Sequence, residues 1–264
     1  MTTRTQDPAA EPSAHRDAFV DWLQRMGDNC LILGHRASEW CGHSPALEED
    51  IALANQALDL IGQCQFWLGL AAEVEGKGRT ADQIAYLRDA GAFRNALLVE
   101  RPNVDFGQTL MRQFLFDAWH MEILRKLKSS SDPRVAEIAA KAEKEVAYHL
   151  ERSADLVIRL GDGSAESRAR MEKALKALFP YTGELFTDDA VDQAMAAAGI
   201  APLPSSLKAG WDSTVSAVLE EATLAHPGEV WQHKGGKRGV HSEHLGYILA
   251  EMQFLQRAYP GAVW

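Results

Sequence analysis

Cysteine is scarce in this chain, with only 3 among its 264 residues. Cys30, Cys41 and Cys64 are odd in number and form no C-x-x-C pair. A disulfide-stapled scaffold and a zinc ribbon are therefore excluded. The chain needs neither, because 264 residues of which 46% are hydrophobic can bury a large core without a covalent or metal staple.

Positive charge is also in short supply. Lys and Arg total 27 against 37 for Asp and Glu, which gives a formal net charge of -10 at pH 7. A surface field of this sign repels nucleic-acid phosphates and anionic lipid headgroups. Nucleic acid is therefore not an expected partner.

Long apolar runs are absent as well. Polar residues interrupt the hydrophobic segments every few positions, so none reaches the roughly 18 residues that span a bilayer. The first fourteen residues are polar, contain Pro8 and Pro12, and lack the apolar stretch of a secretory signal. These features predict a disordered tail over residues 1–14 and a soluble, cytoplasmic protein with no membrane partner.

Motifs for nucleophilic catalysis and nucleotide binding are missing too. The chain has no G-x-S-x-G elbow, no P-loop and no Rossmann glycine pattern between a strand and a helix. The run Gly161-Asp162-Gly163 ends a predicted helix rather than opening one. The common hydrolase and nucleotide-binding classes are therefore not indicated.

What the chain does have is apolar residues at helical spacing from residue 17 onward, with no comparable period-two alternation. Clusters rich in Gly, Pro, Ser and Asn separate four long helices, predicted at about 17–40, 46–73, 106–128 and 134–160. Shorter helices are predicted over 81–90, 164–179, 188–198, 207–224 and 244–258. The expected architecture is all-α, with a single domain over residues 15–264 built around the four long helices.

Polar residues interrupt the apolar stripe of each long helix. Those that could lean into the bundle, by the three- and four-residue spacing of a helix, are Glu39, Asn55, Asp59, Asp117, His120, Glu145 and His149. On the second helix, Asn55 and Asp59 are predicted to share an inward face with Ile51 and Phe66. Carboxylates and imidazoles inside a four-helix bundle are the ligands of di-iron proteins, which keep open positions for dioxygen.

The di-iron pattern is nevertheless incomplete. Such bundles supply a Glu from each of two helices and a Glu-x-x-His pair from each of the other two, yet no Glu here is followed three positions later by His. Glu145 is followed there by Tyr148, and His149 comes one position late. We therefore expect a hydrogen-bonded polar network at a vestigial site, with His35 paired to Glu39 and His149 to Glu145, because an unpaired buried charge costs several kcal/mol. A working metal centre with unusual ligands is the alternative.

Two other clusters have a chemical interpretation beside a structural one. His241 and His244 are spaced to bind a metal at i and i+3, although the same segment also suits the start of a helix. The loop with Lys234, Lys237 and Arg238 could hold a phosphate, or could simply be solvated. In both cases we favour the structural interpretation.

Four long segments, in the same order, resemble the C subunits of the bacterial phenylacetyl-CoA epoxidases. They are LGHRASEWCGHSPALEEDIALANQALDLIGQ (33–63), AYLRDAGAFRNALLVERPNVDFGQTLMRQFLFDAWH (85–120), EVAYHLERSADLVIRLGDG (145–163) and GVHSEHLGYILAEMQFLQRAYPGAVW (239–264). The resemblance implies a ferritin-like four-helix bundle with additional C-terminal helices. It also implies that this chain holds no cofactor and forms a hetero-oligomer with a catalytic A subunit, whose related bundle holds the di-iron centre.

In that family the complex epoxidises the aromatic ring of phenylacetyl-CoA in aerobic phenylacetate breakdown. Electrons come from NADPH through a separate flavin and iron-sulfur reductase. The resemblance therefore implies that the reductase is an indirect partner of this chain. Three functions stay open from the sequence: a structural subunit that supports the A subunit, a di-iron oxygenase with atypical ligands acting on an aromatic acyl-CoA, and a module that seats CoA through Lys234, Lys237 or Arg238.

Overall fold

A computed structural model describes the fold of residues 10–262 and the side chains of residues 15–262. Residues 1–9 of the tail predicted over residues 1–14 lie outside this part of the chain, whereas residues 10–14 belong to the first helix, which begins seven positions before the predicted residue 17. The described residues form ten α-helices and no β-strand, which confirms the all-α prediction. The helices are α1 (Ala10–Ser38), α2 (Leu47–Glu75), α3 (Ala81–Leu87), α4 (Phe106–Leu127), α5 (Pro133–Gly161), α6 (Ala165–Leu178), α7 (Ala190–Ala197), α8 (Lys208–Glu221), α9 (Glu243–Met252) and α10 (Phe254–Ala258).

Short polar side chains fix where the central helices begin. Asp132 precedes α5 and accepts a hydrogen bond from the backbone N–H of Arg134 at 2.9 Å, with Pro133 at the first helical position. Asp105 precedes α4, and its carboxylate accepts from the N–H of Gln108 at 2.8 Å. Such caps satisfy N–H groups that the first turn leaves without an intrahelical acceptor. The predicted start of α5 is confirmed.

The four long helices pack as two pairs, α1 with α2 and α4 with α5. Short connections make the members of each pair antiparallel. The first pair is tightly packed, since a β-carbon added to Gly27 of α1 would lie 2.5 Å from the Leu68 side chain of α2. Glycine at this position therefore permits the two backbones to approach closely.

Helix α4 lies at the centre of the molecule. Apart from its two ends it is buried on every side, and α5, α6 and α8 pack against it. A helix that is covered all round forms the middle of a core. A polar side chain in the middle of α4 is consequently removed from water and is destabilising unless it finds a partner.

A connector without regular structure, residues 93–101, also runs through the interior. Side chains from neighbouring elements satisfy its backbone N–H groups, as buried peptide groups require. Asp28 accepts from Arg94 N at 2.8 Å, Asn29 accepts from Ala96 N at 2.8 Å, and Glu184 accepts from Leu97 N at 3.1 Å. The connector is therefore held by α1 and by the segment that precedes α7.

The helix predicted over 244–258 is in fact two helices, α9 and α10. Gln253 lies between them, and its buried amide donates to the backbone carbonyls of Ala85 and Arg88 at 3.1 and 3.0 Å. Leu255, predicted on the apolar face of one continuous helix, is exposed beyond this break. A buried polar anchor that the apolar pattern does not record explains the difference.

Candidate functional site

Asp117 lies in the middle of α4 and is fully buried. Its Oδ1 accepts a hydrogen bond from Gln113 Nε2 at 2.7 Å, and its Oδ2 accepts one from Ser153 Oγ of α5 at 3.0 Å. Burial raises the pKa of the Asp117 carboxyl to about 6, in spite of His149 and the two hydrogen bonds, which lower it. Both oxygens are thus occupied by donors, and ionisation costs more here than in water.

His149 of α5 is buried and pairs with α2. Its Nε2 lies 2.9 Å from Asp59 Oδ2, and the Asp59 side chain is 39% exposed. The other ring nitrogen, Nδ1, has no hydrogen-bond partner among the residues that the structure describes. The predicted pairing of His149 with Glu145 is therefore wrong, because the ring reaches across the helix pair instead of along α5.

Glu145 takes a different partner on α2. Its Oε2 accepts a hydrogen bond from Gln63 Nε2 at 2.9 Å, and Gln63 Oε1 lies 3.8 Å from the Cys30 thiol of α1. A polar chain of three residues thus crosses from α1 through α2 to α5. Burial raises the pKa of the Cys30 thiol far above its ordinary range, so this sulfur stays protonated.

His120 of α4 is fully buried, yet neither of its ring nitrogens has a hydrogen-bond partner within the described part of the chain. The ring lies between two aromatic side chains, with centroids 5.1 Å from Phe116 and 6.0 Å from Trp119. Burial, with a smaller contribution from His149, lowers the pKa of His120 to about 3. The imidazole is therefore neutral at physiological pH.

Glu39 and Asn55 lie outside the bundle. Glu39 comes just after the end of α1, is exposed, and pairs with Arg36 at 2.8 Å and with the side-chain amide of Asn103 at 2.7 Å. The predicted pair of His35 with Glu39 is not formed. Asn55 is exposed, as is Ile51, so the side of α2 that was predicted to point inward faces solvent at these two positions.

The inner face of α2 instead carries two glutamines that sequence reasoning missed. Gln56 and Gln63 are buried seven residues apart, in the same row as Leu60 and Trp67. Neither amide atom of Gln56 has a hydrogen-bond partner among the described residues. Positions 56, 60, 63 and 67 do follow helical spacing, so the sequence contains a pattern for this inner face. The pattern does not identify the inner face by itself, because both faces of α2 contain large apolar residues.

These positions do not fit a di-iron centre. Within the described residues, no three His, Cys, Asp or Glu side chains form a group that could hold a metal ion. Asp117 and Glu145 are hydrogen-bonded to side-chain amides, and Glu39 and Asn55 are outside the bundle. A di-iron site needs four carboxylates and two imidazoles around one space, and these residues do not assemble one.

A second buried polar cluster, also missed, is centred on Glu100. Its Oε2 lies 2.9 Å from His241 Nδ1, and its Oε1 accepts from the backbone N–H and the hydroxyl of Ser242 at 2.7 and 2.8 Å. The other nitrogen of His241 lies 3.0 Å from the carbonyl of Phe93. Burial lowers the pKa of His241, but Glu100 more than offsets this, so the pKa is raised overall. The cluster ties the start of α9 to the buried connector.

In the basic loop, the side chain of Lys237 makes contacts within the fold. Lys237 Nζ is paired with the buried carboxylate of Asp192 and lies 2.9 Å from the carbonyl oxygen of Thr187. Lys234 and Arg238 are exposed. A phosphate site that used all three cations is therefore not assembled. The metal interpretation of His241 with His244 also fails, because both ring nitrogens of His241 face other acceptors.

Comparison with known proteins places the chain among relatives. All of it, residues 1–264, matches a family model described as phenylacetic acid catabolic protein (PaaA_PaaC). The chain belongs to this family. One relative is the C subunit of 1,2-phenylacetyl-CoA epoxidase from Escherichia coli (strain K12), which is 49% identical over 240 residues, 91% of this chain and 96% of that protein. The resemblance drawn from the four sequence segments is thus confirmed, and this member of the phenylacetic acid catabolic protein family has the expected all-helical, bundle-like fold.

Crossing a bilayer requires a helix that is both long and apolar. None of the helices in the described part of this family member combines the two properties.

Proposed function

We propose that this chain is a non-catalytic structural subunit of a phenylacetyl-CoA epoxidase, and that it binds and stabilises the di-iron catalytic A subunit. The observation that carries the proposal is the 49% identity, over nearly the full length of both chains, to a protein named as the C subunit of that enzyme. The reductase component would then act on the A subunit and concern this chain only indirectly.

The chemistry of the bundle interior supports a structural role. Metal ligands must be deprotonated and able to turn toward a shared ion. Here the Asp117 carboxyl has a raised pKa and two donors, and Glu145 is engaged by Gln63. His149 pairs with a carboxylate at the edge of the bundle rather than with one inside it.

The test compares the A subunit produced alone with the A subunit produced together with this chain. We expect soluble A subunit, iron bound to it, and oxygen consumption with phenylacetyl-CoA and the reductase only in the second case. An A subunit that is equally soluble and equally active without this chain would contradict the proposal.

A variant separates the structural role from a catalytic one. We expect the double variant Glu145→Gln and His149→Gln to leave the turnover of the assembled complex within about twofold, because both amides can hydrogen-bond at these positions. Loss of turnover with the complex still intact would instead favour an oxygenase with atypical ligands. Iron content of the purified chain after anaerobic ferrous loading supplies an independent readout, and about two irons per chain would support that alternative.

A further inference from the structure

One side of α2 exposes large apolar residues to solvent. Leu47, Ile51 and Leu58 expose 70%, 52% and 67% of their surface. Gly62 and Gly69 continue the same strip, because steps of four and seven residues return to one side of a helix. We refer to these five residues as the outer face of α2. The exposed Asn55 and Gln65 lie beside this row, but large apolar side chains exposed along one side of a helix still indicate an interaction site in a soluble protein.

No packing contact among the described residues requires glycine at the two glycine positions of the outer face. Glycine inside a helix is less favourable than alanine, because it loses more backbone entropy on folding. At Gly27 of α1 the reason is evident, since a β-carbon there would collide with Leu68. At Gly62 and Gly69 an added β-carbon would meet no heavy atom within 4 Å among the described residues. Their small size instead suits a neighbour whose backbone approaches α2 from outside.

The shape of the outer face fits a helix. From Leu47 to Gly69 it extends about 33 Å at 1.5 Å per residue. Large side chains at one end and glycines at the other allow a second helix to cross closely, because helix axes approach to about 8 Å where the contact residues are small. A rod of this length is comparable to the long helices of this fold, so a related bundle could supply it.

Charge favours a different chain over a second copy of this one. Helix α2 contains six carboxylates and no Lys, Arg or His. Two cations of the neighbouring α5 are already engaged with α2, because Lys141 lies 4.1 Å from the centre of the Phe66 ring and Arg152 pairs with Glu49. A second copy would bring the same carboxylates, and its own formal charge of -10, to the contact. A partner helix with Lys or Arg at its border is complementary.

We propose that the outer face of α2 is the docking surface for a helix of the catalytic A subunit, with apolar side chains on the face and Lys or Arg opposite the exposed Glu48 of the first turn. The inference rests on the proposed function, which supplies the partner. It adds the element that makes the contact and the chemistry of the helix that fits it.

The decisive variant is Gly62→Leu. It removes a helix-interior glycine, so we expect the isolated chain to be at least as stable as the parent in thermal unfolding. It also fills the space that the partner needs, so we expect affinity for the A subunit to fall about tenfold or more. Stability gained and affinity lost in one variant cannot be attributed to misfolding. Leu58→Glu should weaken binding to a similar extent.

Gly246→Leu is the matched control. Gly246 is also a glycine inside a helix, α9, with open space around its β-carbon position. We expect its replacement to leave affinity for the A subunit unchanged. If Gly62→Leu and Leu58→Glu bind like the parent chain, or if the control loses as much affinity as they do, the assignment to α2 is wrong while the proposed function stands. If the parent chain itself does not bind the A subunit, the proposed function is wrong, and the assignment of an A-subunit helix to the outer face of α2 is wrong as well.

Two further measurements test the charge of the partner and the self-association of this chain. Glu48→Lys should weaken the complex severalfold, and salt should weaken the parent complex more than that of the variant. Sedimentation of the chain alone should show a monomer at micromolar concentration. A stable dimer that Leu58→Glu dissociates would identify a second copy as the occupant and overturn the proposal.

Discussion

At the scale of single residues, the interior of this bundle is polar in a specific way. Several of its acids and histidines are hydrogen-bonded to amides, to a hydroxyl or to one another, as at Asp117 with Gln113 of the same helix and Ser153 of α5. A buried polar group costs little once its hydrogen bonds are made and much when they are not. Among the described residues, His120 and Gln56 are two whose buried side-chain polar atoms all lack a partner, so substitution at these positions is informative.

Asp117→Asn should stabilise the chain at neutral and alkaline pH. The folded-state pKa of Asp117 is raised to about 6 from 3.8, so the parent loses stability as pH rises through this window and stays lower above it. The cost is on the order of 3 kcal/mol by linkage. Asn avoids it, because its oxygen can accept from Gln113 while its NH2 group donates to the Ser153 hydroxyl, which can also accept. Urea unfolding at pH 5 and pH 8 measures the effect, which should be larger at pH 8. Asp155→Asn, at an exposed acid of α5, serves as the control and should show no such trend.

His120→Leu should also stabilise the fold. Leucine of similar volume removes two unpartnered nitrogens from the core, a gain of about 1–3 kcal/mol. Because the pKa of His120 is lowered to about 3, the parent loses stability as pH falls below about 6.5, and the variant should lack this loss. Thermal unfolding between pH 5 and pH 8 tests both statements. The interpretation would be contradicted if the variant were less stable than the parent at pH 5, with His43→Leu, an exposed position, as the reference.

At the scale of elements, two polar anchors hold the C-terminal helices. Glu100 binds the residues that begin α9, and Gln253 binds two carbonyls at the C-terminal end of α3. Both anchors join segments more than 140 positions apart in sequence. Apolar periodicity predicts that a helix exists here, but such long-range hydrogen bonds decide where it breaks and what it rests on.

The Glu100 anchor should make the start of α9 sensitive to pH. Because the pKa of His241 is raised in the folded chain, its stabilisation is complete below about pH 6.5 and is lost as pH rises through the folded-state value. Hydrogen exchange of residues 240–252 should accordingly be faster at pH 9 than at pH 6, after correction for intrinsic rates. Glu100→Gln should abolish the protection at both pH values, whereas Glu243→Gln, an exposed neighbour, should not change it.

At the scale of the whole molecule, burial controls the reactivity of the three thiols. Cys41 is exposed, whereas Cys30 and Cys64 are buried, and burial raises the pKa of both buried thiols. A thiol reagent such as DTNB should therefore modify one cysteine per chain under native conditions and three in denaturant. Cys41→Ser should eliminate the fast reaction. Rapid modification of a second thiol in the native state would show that the bundle opens more readily than its packing indicates.

The sequence by itself determined the all-helical fold, the bounds of the long helices apart from the start of α1, and the family. These follow from local signals, namely apolar spacing, capping residues such as Asp132, and long segments of similarity. Only the tertiary structure decided which side of α2 faces the core, because both sides carry large apolar residues. Apolar periodicity predicts that one side of a helix is covered, but it does not identify the element that covers it. It also decided that His149 pairs with Asp59, 90 positions away, rather than with Glu145 on its own helix. Partners of buried polar groups are set by the packing of helices against one another, and that information is not local to any stretch of the chain.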